Sequence, residues 1–472
     1  MRVYESIYVD GDWADADASE RIEVLDPATE RVIAAVPAAG PADVDAAVEA
    51  AHGAADEWAA TPPERRAEHL AALRDALAAR KDEAIATIVK ELGAPVTLAE
   101  RVQVGLPLAV LDSYVKLLAE FEFEERVGNS RVFAEPVGVV GAITPWNYPL
   151  HQGIAKVAAA LAAGCPVVLK PAEDTPLVAY VLADAVHAAG LPAGVFNLVP
   201  GTGPVAGEAL VRHSGVSMVS FTGSTAVGER VGELCAGQIK RVALELGGKS
   251  ANVVLPGTDL DGPVAKGVAN AFLNSGQTCS AWTRMLVPAD RYDEAVGLAA
   301  SAAAKYTCGD PRDPKTRLGP LVNARQRERV RGYIETGVRE GATVVTGGTE
   351  PPDGLEQGFF VRATVLANVH PDATVAQEEI FGPVLVVLAY GDVDEALAIA
   401  NGTHFGLAGG VFGPDEETAV AFARRMKAGQ IDINGGRFNP QAPFGGFKRS
   451  GIGREFGAHG LREFLEYKSL QL

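Results

Sequence analysis

Between Pro41 and Leu98, apolar residues recur at i, i+3 and i+4, the spacing of amphipathic helices. The run PADVDAAVEAAHGAADEWAA sets acids between its apolar positions. PPERRAEHLAALRDALAARKDEAIATIVKELG repeats the pattern, with Pro near its start and Gly at its end. Around FEFEERVGNSRVFAEP the period falls to two, which predicts a hairpin turning at Gly128-Asn129. A lone hairpin is marginal in water, so it is expected to pair with another element, such as one from a second subunit.

From Gly138 onward the chain alternates. GVVGAITP, CPVVLKP, GVFNLVPG and VSMVSFTG read as strands. HQGIAKVAAALAAG, PLVAYVLADAVHAAG, VAGEALVRH and STAVGERVGELCAG read as the helices between and after them. Regular strand–helix alternation predicts a parallel sheet covered on both faces. After RVALELGGKSANVVL a second α/β region begins, with helices such as NARQRERVRGYIETGVREG, and REFLEYKSLQL reads as a terminal strand.

A chain of 472 residues exceeds one hydrophobic core and implies two or three domains. The net charge of −18 would repel nucleic acid and anionic membranes, while leaving room for a local basic pocket. No stretch approaches the ~20 apolar residues of a membrane span, and MRVYESIYVDGDW lacks the apolar core of a signal peptide. Cys165, Cys235, Cys279 and Cys308 form no CxxC pair and have no partnering His, so neither zinc nor a disulfide framework is expected. The cytoplasm is the expected compartment.

Parallel sheets bind ligands beyond the carboxyl ends of their strands, and four predicted strand ends carry polar or glycine-rich sequence. Trp146 and Asn147 follow the first, and Lys170 and Glu173 the second. GTGPVA, after the third, fits a loose dinucleotide pattern that is weak alone. FTGSTAVG, after the fourth, is preferred as a pyrophosphate loop. Gly223 would allow close backbone approach, and Ser224 would open a helix whose N-terminus favours anions. An ordinary glycine turn with an N-cap serine would look the same. Glu245, ending a strand beside Gly247-Gly248, is either a general base or a solvated acid. Cys279, in NSGQTCSA, is either a small buried apolar residue or an attacking thiolate.

Together, ITPWNYPL, LKPAEDTP, FTGST, LELGGKS, NSGQTCSA, EEIFGPV and APFGGFKRSGIGRE stand in the order and spacing of the aldehyde dehydrogenase superfamily, which the chain resembles from YVDGDW to EFLEYKSLQL. The resemblance implies three parts. They are a Rossmann-like NAD-binding domain (1–117 and 136–247), an α/β catalytic domain (248–450) and a small β oligomerisation extension (118–135 and 451–472). It implies a catalytic set of Cys279, Glu245, Asn147 and Lys170. Cys279 would be the nucleophile, Asn147 an oxyanion donor together with the Cys279 N–H, and Glu245 the base that activates water against a thioester. For NAD it implies Ile143, Thr144, Trp146, Lys170, Glu173, Gly203, Gly223, Ser224, Gly247, Glu379 and Phe381. Lys170 and Glu173 would hold the adenosine ribose, and Glu379 and Phe381 the nicotinamide end. No metal is implied. A small-molecule aldehyde and self-association as a homotetramer or homodimer are.

The expected substrate tunnel departs from enzymes of small aliphatic aldehydes. Tyr148, His151, Gln152 and Ala155, with Arg437, Phe438 and Phe444, suggest a wider and more polar path. Arg437 would suit a distal carboxylate, and the aromatics an aromatic aldehyde. Two other readings compete. A coenzyme-A-acylating semialdehyde dehydrogenase typically lacks the glutamate base, so Glu245 argues against it. A non-catalytic member of the fold would have lost Cys279, Asn147 or Glu245, and all three are present.

Overall fold

The computed structural model describes residues 1–472. Its largest sheet has eight strands, and five adjacent ones are parallel: Arg241–Glu245, Met218–Thr222, Val140–Ile143, Val167–Lys170 and Phe196–Leu198. Their residues are almost all buried, as expected of strands covered on both faces. The parallel expectation holds for this core, whereas antiparallel strands close both edges. Ser6–Val9 and Asp12–Asp15 extend one edge, and Gly451–Ile452 pairs with the Leu244–Glu245 end of the other.

Helix Pro149–Ala163 runs through the core with all fifteen residues buried. Its alanine-rich sequence suits this position, since small side chains let strands and helices approach on every side. Helix Pro41–Ala60 matches its predicted limits, whereas the second run breaks at Arg80 into Pro63–Ala79 and Lys81–Leu92.

A second, seven-stranded sheet, largely parallel, begins at Ala251–Val254 and carries its own apolar core. The hairpin forms as predicted, from Glu124–Val127 and Ser130–Pro136. It pairs with the chain's own terminal strand Leu465–Gln471. The expected 451–472 extension needs correction, because only 465–471 join this small sheet. Gly451–Ile452 belongs to the cofactor-side sheet, and helix Gly457–Glu463 packs on Pro149–Ala163. No helix is long and apolar enough to cross a membrane.

Candidate active site

The segment that delivers Cys279 is wound tightly. Asn274, Ser275 and Gly276 have φ of 53°, 57° and 74°. A Cβ on Gly276 would overlap the Gly382 carbonyl, so this turn requires glycine. Side chains hold the turn: Ser275 Oγ donates to Gly319 O (2.9 Å), and Gln277 Oε1 accepts from Val322 N (3.0 Å). Left-handed residues in succession cost conformational energy, and pinned loops of this kind cluster at functional sites.

Asn147 lies just before helix Pro149–Ala163 and is buried. Its backbone carbonyl accepts from Gln103 Nε2 (2.8 Å) and Asn274 Nδ2 (2.9 Å). Its side-chain Nδ2 donates to Gln277 O at 2.9 Å, two residues before Cys279. An amide nitrogen carries two protons, so one N–H remains for an oxyanion. Half-buried Cys279 has its thiol pushed up to about 12 by burial and by the Glu379 and Glu245 carboxylates. A thiol so disposed is protonated at neutral pH and could act as a nucleophile only by giving up its proton as it attacks.

Glu245 ends its strand buried, with neither carboxylate oxygen hydrogen-bonded. Burial raises its pKa well above the carboxylate range, and nearby Glu455 adds to the shift, while Lys156 and Arg454 oppose it. An unpartnered acid held back from ionisation suits a base that works near neutral pH. Beside it lies a buried ion pair. Lys156 Nζ stands 2.6 Å from Glu455 Oε1 and donates to Thr222 Oγ1 at 2.7 Å.

A cavity of about 450 Å³ opens over Cys279. Trp146, Asn147, Gln152, Gly223, Gly247, Glu379 and Phe381 line it, together with Ser224, Arg325, Gln326 and Arg329. The Trp146 and Phe381 rings meet edge-on at 5.3 Å. Glu379 Oε1 accepts from Gly248 N (3.0 Å), and a Cβ on Gly247 would strike this carboxylate. Burial lifts the Glu379 carboxyl to about 7, against that N–H. Ser224 Oγ accepts from Val227 N (3.4 Å) and caps helix Thr225–Ala236, so the residue that starts this helix also lines the cavity. A slot between aromatic rings, a carboxylate and a capped helix start fits a dinucleotide's ring, ribose and pyrophosphate.

The remaining predicted cofactor residues sit further along the same strand ends. Ile143 ends its strand, and Thr144 N donates to Lys170 O (3.1 Å). Lys170 Nζ donates to Pro171 O and Gly201 O, both at 2.7 Å, and lies 3.7 Å from Glu173. It does not line the cavity over Cys279, so it is not brought to the reacting centre as a catalytic lysine would be. Gly203 faces open space at the start of the turn Gly203–Gly207.

On the substrate side, Tyr148 OH and Thr278 Oγ1 share a hydrogen bond of 2.7 Å. Buried His151 stacks on Phe456 at 5.5 Å, with its Nδ1 unpartnered. Burial and Lys156 push this imidazole down to about 4, so it is neutral at physiological pH. Phe438 meets Phe444 and Phe456 at 6.3 and 5.7 Å. Gln152 Oε1 accepts from Thr222 Oγ1 (3.3 Å). Arg437 is exposed and forms no ion pair.

Sequence reasoning missed Gln103, Lys156, Thr222, Asn274, Phe456 and Glu455. One signal was available. Lys156 is the only charged residue in an alanine-rich stretch, and a buried lysine demands an acid.

Comparison with known proteins agrees with this arrangement. The profile of the aldehyde dehydrogenase family matches residues 13–470. The chain is 45% identical over 471 residues to a 3-succinoylsemialdehyde-pyridine dehydrogenase from a Pseudomonas species, covering 100% of this chain and 99% of the relative. Aldehyde dehydrogenase C of Pseudomonas syringae, solved with NAD+ and octanal, superposes with a TM-score of 0.98 at 46% identity, over 99% and 96% of the two chains. The Mycobacterium tuberculosis aldehyde dehydrogenase complexed with NAD+ does so at 0.98 and 42%, over 100% and 98%. The protein belongs to the aldehyde dehydrogenase family.

Proposed function

We propose that this enzyme oxidises an aldehyde to its carboxylic acid with NAD, through a covalent adduct on Cys279. The observation that carries this reading is the convergence of Cys279, Asn147, Gly247, Glu379 and Phe381 on one cavity, with Glu245 close enough to perturb the Cys279 thiol.

The Cys279 sulfur adds to the carbonyl carbon as its proton passes to the ionised Glu245 carboxylate, which returns it to solvent before hydrolysis. The new oxyanion is met by the spare Asn147 N–H and the Cys279 backbone N–H. One such donor is worth about 3–4 kcal/mol in the transition state. The dinucleotide supplies the two-electron acceptor when bound. Trp146, Phe381 and Glu379 hold its reactive end, Gly223 and Ser224 its pyrophosphate, and Lys170 and Glu173 its adenosine ribose. The thioester left on Cys279 is hydrolysed by a water that Glu245 deprotonates. Gln103 and Asn274 keep Asn147 in place, and the Lys156–Glu455 pair sets the charge around Glu245.

The NAD+-bound homologues support the cofactor, and the octanal complex supports an aldehyde substrate. Self-association, as a dimer or tetramer, would use the small sheet. Its terminal strand Leu465–Gln471 is unpaired on one side and exposes Tyr467 and Leu470. Four unpaired cysteines suit a reducing cytoplasm. An aldehyde panel read by NADH absorbance tests the activity, with Cys279→Ala as control. Light scattering on a sizing column reads the assembly.

A further inference from the structure

The oxyanion in the mechanism above needs two donors held at a fixed separation, yet they come from segments far apart in the chain. One is the spare Asn147 N–H, just before helix Pro149–Ala163. The other is the Cys279 N–H, which makes no hydrogen bond within the chain. Two adjacent contacts clasp these segments together. Asn147 Nδ2 donates to Gln277 O at 2.9 Å, and Tyr148 OH lies 2.7 Å from Thr278 Oγ1. Consecutive residues on one side thus grip consecutive residues on the other, and the second contact serves no step derived so far.

The direction of that contact follows from counting protons. Thr278 Oγ1 donates its only proton to Leu273 O at 3.1 Å. It can then only accept from Tyr148, whose OH is the donor. The hydroxyls form a chain from Tyr148 through Thr278 to the carbonyl that enters the left-handed turn Asn274–Gly276. Tyr148 and Thr278 are 6% and 9% exposed, so water competes little for either partner. Tyr148 is itself seated firmly, because its carbonyl accepts from Gln152 N (2.8 Å) at the start of a helix whose fifteen residues are all buried. On the other side, Thr278 O accepts from Ala281 N (3.1 Å). The Thr278–Cys279 peptide, which carries the Cys279 N–H, is therefore held both at its carbonyl and through the side chain beside it.

We propose that Tyr148 and Thr278 are positioning residues for the oxyanion, and that their hydroxyl pair keeps the Cys279 N–H and the spare Asn147 N–H turned to the same oxygen. The inference rests on the aldehyde-oxidising reading above. A displaced donor loses part of what a deleted donor loses, and deletion slows such reactions about 10²–10³-fold.

The test measures the single-turnover rate of NADH formation, with enzyme in excess over hexanal or benzaldehyde. Tyr148→Phe and Thr278→Val should each slow it by about tenfold or more, equivalent to ~1.4 kcal/mol. Phe retains the ring, so the first variant reads the hydroxyl alone. The double variant should be slower than either single by less than about twofold, because both remove one shared contact. Thr278→Ser restores the hydroxyl and should recover most of the rate lost in Thr278→Val. Iodoacetamide separates the donors from the thiol. It alkylates the Cys279 sulfur with release of iodide and the thiol proton, and no oxyanion develops. Its rate, read by mass on the peptide that carries Cys279, should change by less than about twofold in every variant. An unchanged NADH rate in Tyr148→Phe overturns the proposal. So do additive losses in the double variant. Alkylation slowed as much as NADH formation does so too, since the contact would then support the thiol or the fold at large. Tyr148→Phe removes one buried oxygen and carries the test alone if Thr278→Val folds poorly. A wild type that forms no NADH from either aldehyde would overturn the underlying reading, and the proposal with it.

Discussion

The Lys156–Glu455 pair allows a prediction in which the charge effect and the packing effect can be told apart. Glu455→Gln keeps the shape of the side chain and an acceptor for Lys156, but removes one negative charge. Glu455 is among the groups that raise the Glu245 pKa, and Lys156 is among those that lower it. Without the Glu455 charge, both changes in balance favour ionised Glu245, and its pKa falls. In the proposed mechanism hydrolysis needs Glu245 deprotonated, so the acidic limb of the pH–kcat profile should move to lower pH. In Lys156→Met/Glu455→Gln both neighbours are neutral, and the limb should return toward its wild-type position.

Stability follows a different rule. The two side chains are 0% and 7% exposed, so solvent hardly screens them. Breaking a buried pair by removing one partner costs roughly 3–5 kcal/mol, because the other charge is stranded. Thr222 Oγ1 and the new amide still accept from Lys156, which places Glu455→Gln near the lower end of that range. The double variant strands no charge and should recover much of the loss. Stopped assays across pH read the first effect, and urea midpoints relative to wild type read the second. An acidic limb that stays put, or that moves to higher pH in Glu455→Gln, would sink the claim that this pair tunes Glu245.

Cys279→Ala should abolish turnover while NAD still binds, as measured by calorimetry, and more than trace activity would exclude the covalent route. Glu245→Gln should accumulate an acyl-enzyme visible by intact mass, and unchanged turnover would remove Glu245 as the base. The raised Glu245 pKa also costs folding free energy as pH rises through it, because the folded chain prefers the protonated form. Glu245→Gln should therefore melt higher than wild type above neutral pH and close to it in mild acid; a lower melting point at high pH would contradict the sign. NAD should be preferred over NADP, since a 2′-phosphate would meet Glu173, with Lys170 softening the clash at 3.7 Å. Comparable kcat/KM for the two cofactors would refute that placement.

Much of the fold could be read from period alone. Strands buried on both faces appear as short apolar runs, and their glycine-rich ends marked where a ligand would sit. The Gly128-Asn129 turn was legible because a tight turn needs residues that tolerate left-handed backbone. What closed the sheets was not legible. Gly451–Ile452 is two residues long and pairs across more than two hundred positions with Leu244–Glu245, so no local pattern announces it. The terminal strand reads as a strand, and only the resemblance groups it with the hairpin; its residue-by-residue register could not be read, because Leu465–Gln471 is exposed along nearly its whole length and lacks the alternation of a half-buried strand.

The same distinction divides the site. Cys279, Asn147, Gly247 and Glu379 lie in contiguous motifs, and the structure gathers them around one cavity. The groups that touch them or shift their charge come from sequence with no motif of its own. Gln103 reaches Asn147 across 44 positions, and Lys156 reaches Glu455 across 299. Buried polar groups of this kind are costly unless matched, so each one implies a partner even where the partner cannot be named. Glu245 departs from that rule with both of its oxygens, where His151 and Glu455 each leave one atom unpartnered. Its carboxylate is buried and unmatched, the strand that carries it is held by Gly451–Ile452, and a Cβ on Gly445 would press on its Oε1 at 2.6 Å. A fold that gives Lys156 and one oxygen of Glu455 short hydrogen bonds, yet leaves both oxygens of the neighbouring acid without one, holds in that acid an unmet demand for a donor. A water poised beside the Cys279 thioester would meet that demand by donating its proton.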